Sequence, residues 1–260
     1  MNNSVSFDQA VEFYDRTRGG IVVGRKFAQV TSRYLAPASR VLELGVGTGL
    51  VALALAELGH TVVGIDLSSN MIALARDRIG ARVALGDAMR VPIESASCDA
   101  IVAARVLHVV GDPAAVLTEA ARVVRPGGHL VVVLAGGGRF DDLERRDDIE
   151  RRDDIDDVAF ELRIGRAARG PTADDAIEFA ASAGLSIIGR ERTTPDEYAE
   201  SPREYAARIE ARTWSGLWDI DDETWARSVQ PTIDRLLALP DPDRARPRRR
   251  SHRVLVFSRV

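Results

Sequence analysis

The stretch from Arg40 to Leu134 predicts an open α/β sheet, on three observations. Short β-branched runs alternate with helical stretches, the runs are apolar along most of their length, and helix caps and stops stand between them. The strand candidates are Arg40 to Leu44, Thr61 to Ile65, Arg82 to Leu85, Cys98 to Ala103 and Leu130 to Leu134. Apolar runs that do not alternate suit parallel strands covered on both faces. Thr48 to Leu58, Ser68 to Arg78 and Asp112 to Val124 have helical character. Asp112 with Pro113 supplies a cap and a first-turn proline, and Arg125-Pro126-Gly127-Gly128 reads as a stop. Upstream, Phe27, Val30, Tyr34 and Leu35 share one apolar helical face, so a helix should precede the first strand and pack on the sheet.

Composition bounds the function. With 260 residues, 45% hydrophobic and 28% charged, the chain suits one globular domain with insertions. Its 35 basic and 39 acidic residues give a net charge of −4, so no global positive field would collect nucleic acid or an anionic membrane. Cys98 is the sole cysteine, which excludes an internal disulfide and a cysteine-ligated zinc ribbon. Met1 to Ala10 has no basic segment leading into an apolar one, and the longest apolar run, Leu130 to Ala135, is too short to span a bilayer. A cytoplasmic protein is expected, with no membrane partner.

The second half changes character. Asp141 to Asp157 is dense in mixed charge and holds a tandem hexad, Glu144 to Ile149 repeated as Glu150 to Ile155, which reads as a solvated helix with Arg152 and Asp156 four apart. Thr172 to Gly184 reads as a helix, Leu185 to Glu191 as a strand, and Pro202 to Trp214 and Glu223 to Leu239 as helices. Pro240 to Pro247 reads as a loop, and Arg244, Arg246, Arg248, Arg249, Arg250 and Arg253 as a solvated basic cluster. His252 to Val260 alternates, as a strand at or near a sheet edge does. Trp214, Trp218 and Trp225 serve either as plain core or as an aromatic pocket.

Chemistry concentrates in Val41-Leu42-Glu43-Leu44-Gly45-Val46-Gly47-Thr48-Gly49-Leu50, a buried strand running into a glycine-rich turn and a helix. Glycines at alternate positions let a ligand approach the backbone closely, and the helix start offers free N–H groups. The dinucleotide pattern G-x-G-x-x-G is not met, and Glu43 would repel a pyrophosphate while suiting an ammonium or sulfonium. Asp66 ends the second strand, where a carboxylate binds ribose hydroxyls, and Asp87 follows the third, where it could accept from an adenine amine with Met89 on the ring. All three acidic residues fall at strand C-terminal ends. Together they describe an adenosine with a cationic, phosphate-free tail, which is S-adenosylmethionine.

Here the chain resembles the class I S-adenosylmethionine-dependent methyltransferases, in particular the type 11 small-molecule branch related to quinone-biosynthesis methyltransferases. The resemblance rests on VLELGVGTGL (41–50), VVGIDLSSNM (62–71), GDAMRVP (86–92), CDAIVAARVLHVVGDP (98–113) and VVRPGGHLVVV (123–133). It implies a Rossmann-like sheet of seven mostly parallel strands with an antiparallel last strand, helices on both faces and helical cap insertions. It implies that Glu43, Gly45 and Gly47 line the methionine moiety and Asp66 takes the ribose, with Gly49, Leu67 and Met71 also among the cofactor-binding residues. Asp87, Ala88 and Met89 would meet the adenine, and Ala104 and Arg105 would lie beside the sulfonium. Residues 1–39 would close over the cofactor, with Tyr14 and Arg18 on its carboxylate; 40–138 would form the core, and 139–171 and 195–247 the acceptor cap. The expected reaction is methyl transfer to a small molecule without a metal. His108, between the fourth strand and the next helix, is the candidate proton acceptor. A nicotinamide-dependent oxidoreductase and a noncatalytic binding protein are the alternatives. An exocyclic-amine DNA methyltransferase would show Asn/Asp-Pro-Pro-aromatic where Ala103-Ala104-Arg105-Val106 stands, so no nucleic-acid partner is expected.

Overall fold

The computed structural model describes Asp15 and residues 19–134, 153–161, 170–218 and 220–260, the backbone alone at 160, 161 and 215. The chain divides into two compact units: Met1–Gly138 with Pro171–Thr194 and His252–Val260, and Arg139–Gly170 with Pro195–Ser251.

The first unit runs α1 (Gly20–Ser32), β1 (Arg40–Leu44), α2 (Leu50–Glu57), β2 (Thr61–Asp66), α3 (Ser69–Ile79), β3 (Val83–Leu85), β4 (Cys98–Ala104), α4 (Pro113–Val123) and β5 (Val124–Val133). In chain order the elements α5 (Asp154–Glu161), α6 (Ala173–Ser182), β6 (Leu185–Arg192), β7 (Asp196–Glu200), α7 (Pro202–Glu210), α8 (Asp222–Thr224), α9 (Gln230–Leu237), β8 (Arg246–Arg250) and β9 (Arg253–Arg259) follow; of these, α6, β6 and β9 complete the first unit. Its sheet has seven strands in the order β3-β2-β1-β4-β5-β9-β6. Neighbours from β3 to β5 are parallel, and β9 is antiparallel to both β5 and β6.

Period-two burial explains why the strands read as apolar runs. Leu42, Leu44, Ile101, Leu130, Val132, Leu255 and Phe257 enter one core with α4 and α6. The alternate Val41, Val102, Val131, Val133, Val254 and Val256 enter another with α1, α2 and α3. Local chemistry ends the elements as expected: Ser68 Oγ accepts from the Met71 N–H at 3.1 Å, and Asp112 Oδ1 from the Ala115 N–H at 3.0 Å with Pro113 opening α4.

Two readings within this unit are corrected. The helix does stop at Val123, just before Arg125-Pro126-Gly127-Gly128, but the strand expected from Leu130 already starts at Val124 and carries these residues past a register irregularity against β4. The alternation in 252–260 fails in the middle: Val254, Leu255, Val256 and Phe257 are all buried, because β9 is bonded on both sides and covered on both faces, and β6 forms the edge.

The second unit gathers Ile155, Val158, Ala206, Ile209, Leu217, Val229, Ile233 and Leu236 into its own core. Trp214 and Trp225 pack against that core, partly buried, and Trp218 donates its indole N–H to the Arg212 carbonyl at 2.8 Å. The expected helix over Glu223 to Leu239 is broken into α8, a π-helical turn Trp225–Val229 and α9. The guanidinium of Arg212 stacks 4.3 Å from the Trp225 ring and donates to the Leu217 and Ile220 carbonyls at 2.5 and 3.1 Å.

The basic cluster is the larger correction. Arg246–Arg250 is a strand, antiparallel to β7, and Arg248 keeps only 8% of its side chain exposed. Arg248 donates to Asp153 at 3.2 Å and to Asp156, lies 5.2 Å from the Tyr205 ring, and faces Glu200, which also pairs with Arg208. Arg246 clamps Asp154 with Nε and Nη2 at 3.0 and 2.8 Å. The described end of the charged run is therefore not free of the fold: Asp153, Asp154 and Asp156 pair with β8 while remaining partly exposed, and Ile155 enters the core. The first hexad, with Arg146, and Arg152 lie outside the described residues. Among the described residues, no helix is long and apolar enough to cross a membrane.

Removing one member of a buried ion network strands the others. Arg248→Ala is expected to destabilise the second unit by about 3–5 kcal/mol, read as an earlier urea transition.

Candidate functional site

The strand order places β1 beside β4, with β2 and β3 on one side and β5 on the other, so the chain's crossovers diverge between Glu43 and Val102, which are register partners. At such a switch point a crevice opens beyond the strands' C-terminal ends. It exists here: a cleft of about 440 Å³ is walled by the glycine loop, by Val23, Gly24 and Phe27 of α1, and by Glu43, Ala104 and Arg105.

The loop is stitched in place by its own backbone. Val46 N–H donates to Ile65 O at 2.8 Å, Gly47 N–H to Asp66 Oδ2 at 2.8 Å, and Gly49 N–H to Val46 O at 2.9 Å. Two glycines are required for distinct reasons. Gly45 has φ +65°, and a Cβ there would stand 2.6 Å from a Val106 methyl. Gly49 has φ +83° and packs against α3, where a Cβ would meet Ala75 at 3.1 Å. Gly49 thus serves helix packing and, unlike Gly45 and Gly47, does not line the cleft.

Glu43 is 2% exposed at the cleft floor. Burial pushes its carboxyl well above the usual range, a hydrogen bond from the Ala52 N–H works against this, and the charge of Asp66 adds to the rise. Its Oε2 is buried without a hydrogen-bond partner. A protonated carboxyl, or a carboxylate facing a bound cation, satisfies such a group.

Asp66 accepts from Gly47 and from Ser68, whose N–H is 2.9 Å from Oδ1, so its carboxylate ties the glycine loop to the start of α3. Asp87 Oδ1 caps its own turn through the Met89 N–H at 2.8 Å. Both stand at the cleft's edge of the sheet but outside its enclosed walls. Beside them, Leu67 is exposed at the end of β2, Ala88 is buried in the core with Met89 against it, and Met71 is buried in α3. His108 lies in the turn after Arg105, partly exposed and also outside the walls. Tyr14 and Arg18 lie outside the described residues.

Sequence reading passed over a latch on the cleft. Asp15 Oδ1 accepts from the Thr48 hydroxyl at 2.5 Å and Oδ2 from Arg78 Nη2 at 2.5 Å, while Arg78 Nη1 reaches Thr48 O at 2.5 Å. It joins the segment before α1 to the glycine loop and to α3. Asp15 lies next to Tyr14 in a stretch already singled out, but a 63-residue separation from Arg78 gives no pattern to read.

Residues 42–132 match the family described as a methyltransferase domain. This stretch is a methyltransferase domain. Outside it, likeness thins. A methyltransferase of undetermined activity from Mycobacterium tuberculosis is 39% identical over 133 residues, 50% of this chain and 52% of that protein. A demethylmenaquinone methyltransferase from Mycolicibacterium gilvum is 38% identical over 130 residues, 48% and 57% of the two chains. The chain thus spans about half the length of the curated relatives it matches. Among solved structures, a [4+2]-cyclase named SpnF superposes with TM-score 0.60 at 18% identity, over 98% of this chain and 95% of that one. The Haemonchus contortus phosphoethanolamine N-methyltransferase 2, solved with S-adenosylhomocysteine, gives 0.54 at 21%, over 97% and 57%. The methyltransferase domain contains Glu43, the glycine loop, Asp66, Asp87, Arg105 and His108; the latch partner Asp15 precedes it.

The Glu43 carboxyl fixes the sign of a stability effect. Below about pH 4, both folded and unfolded chains hold its proton; above that the unfolded chain ionises while burial keeps the folded group protonated, so Glu43 makes stability fall as pH rises. Glu43→Gln removes this. In thermal unfolding at a series of pH values, the ligand-free variant is expected to melt higher than the wild type at neutral pH, with the gap closing toward acid.

Proposed function

We propose that the chain transfers a methyl group from S-adenosylmethionine to an oxygen or nitrogen of a small-molecule acceptor. The observation that carries this is the buried, unpartnered Oε2 of Glu43, aimed into a cleft beside a glycine loop. A cationic donor such as an α-ammonium fits that oxygen, and a pyrophosphate does not. Asp66 ends β2 on the cleft's side of the sheet, where a carboxylate suits vicinal ribose hydroxyls, and Asp87 follows the next strand for the base. Relatives named demethylmenaquinone methyltransferase support a small-molecule acceptor.

When bound, the cofactor supplies an activated methyl on a sulfonium. The protein's part is then placement, and alignment in a partly closed cleft is worth about 7–11 kcal/mol. The glycine loop admits the ligand to backbone contact, α1 and the Asp15 latch close one side against water, and His108 on the same sheet edge takes a proton from the acceptor. G-x-G-x-G in place of G-x-G-x-x-G, together with Glu43, disfavours the nicotinamide reading.

Calorimetry should show S-adenosylhomocysteine binding without added metal. Asp66→Asn keeps one acceptor oxygen for the loop but loses the charge toward the ribose, and should weaken that binding by about 1.5–3 kcal/mol; an unchanged affinity removes Asp66 from the site. With an acceptor found from a metabolite library and labelled cofactor, His108→Ala is expected to slow turnover by ~10²–10⁴ with S-adenosylhomocysteine affinity intact. A loss of turnover under roughly threefold assigns His108 a structural role.

A further inference from the structure

Among the described residues, the charged cleft walls are Asp15, Glu43 and Arg105. Two are accounted for: Asp15 is neutralised by Arg78 and Thr48, and Glu43 has its own burial and the Ala52 N–H. Arg105 remains. Its guanidinium lies 5.7 Å from the Phe27 ring centroid on the α1 side of the cleft, and among the described residues no carboxylate pairs with it.

Arg105 is also held in an unfavourable backbone conformation. Its φ is +56°, a left-handed region that a long side chain rarely adopts. Neighbouring contacts enforce it: Arg105 N–H donates to Val133 O at 2.8 Å, and Val106 is lodged in the space that Gly45 leaves. The chain thus leaves β4 strained and turns a cation into a cleft where, among the described residues, it meets an aromatic face and no counterion. A guanidinium left so beside a sulfonium would repel it. With an anion between them the arrangement becomes attractive, and the fork of N–H donors matches a carboxylate.

Resting on the cofactor reading above, we propose that Arg105 is the carboxylate-binding residue of the cleft, set across the β1/β4 switch point from the cation-binding Glu43. Opposite charges on neighbouring strands complement the two ends of an α-amino acid, so the methionyl end of the cofactor is the first source of that carboxylate. A carboxylate on the acceptor is the second.

Three proteins separate the sources: wild type, Arg105→Asn, which tolerates positive φ, and Arg105→Lys, which keeps the charge without the fork. Calorimetry compares S-adenosylhomocysteine with 5′-methylthioadenosine, which lacks the amino-acid end, and then titrates benzoate into protein saturated with S-adenosylhomocysteine. The wild type should prefer S-adenosylhomocysteine by at least about tenfold. Arg105→Asn should lose most of that preference with methylthioadenosine affinity unchanged, and Arg105→Lys should retain part of it, assigning Arg105 to the cofactor carboxylate. A preference kept in Arg105→Asn together with loss of benzoate binding assigns it to the acceptor. Preference and benzoate behaviour both unchanged, or an equal loss for both nucleosides, overturns the proposal. A wild type that binds neither nucleoside overturns the cofactor reading itself. Thermal melts of Arg105→Asn equal to or above the wild type establish that the lost affinity is not lost folding.

Discussion

A parallel sheet buried on both faces has no room for polar side chains along its length, and the first unit is arranged around that constraint. From Val41 to Leu44, Ala100 to Ala103 and Leu130 to Val133, the strands are closed off from water. Chemistry is confined to where strands end. Glu43 is the exception, a carboxyl one residue short of the end of β1, and its displaced protonation equilibrium follows directly from that place. The glycine loop, the Asp66 stitches and the contact of Val106 with Gly45 form the rim around this one buried polar group.

The second unit meets the problem of burial in the opposite way. Its core is small, and charge runs into it: Arg248 is wedged among Asp153, Asp156 and Glu200 against the Tyr205 ring. Burial draws Arg248 toward neutrality, but the charges of Asp156 and Asp153 outweigh it and the guanidinium stays charged. Such networks add little net stability against an apolar core of equal volume, yet they collapse when one member is lost. Their effect here is to join two segments distant in sequence, since Arg248 and Asp156 are 92 residues apart.

Fold and chemistry separate in the comparisons. A [4+2]-cyclase and an N-methyltransferase superpose on this chain at similar TM-scores, so the sheet by itself does not select a reaction. What discriminates is the set of side chains at the strand ends, among them Glu43 on β1 and Arg105 just past β4, both in the wall of one cleft.

The sequence by itself determined whatever depends on neighbours along the chain. Strand runs, the caps at Ser68 and Asp112, and the glycine loop after β1 are local, because burial periodicity and turn geometry are written within a few residues. The positions of Glu43, Asp66 and Asp87 at strand ends followed from the same local signals. Tertiary structure alone decided the rest. Gly49 proved a packing residue because Ala75 stands against it, and β9 an inner strand because β6 pairs beyond it. The Arg248 side chain is buried because Asp153, Asp156 and Glu200 come from elsewhere to meet it. Asp15 latches to Thr48 and Arg78, and Arg105 faces the cleft with no counterion among the described residues, for the same reason: whether a charge is paired depends on which distant segments the fold brings within about 3 Å, and no local pattern encodes that distance.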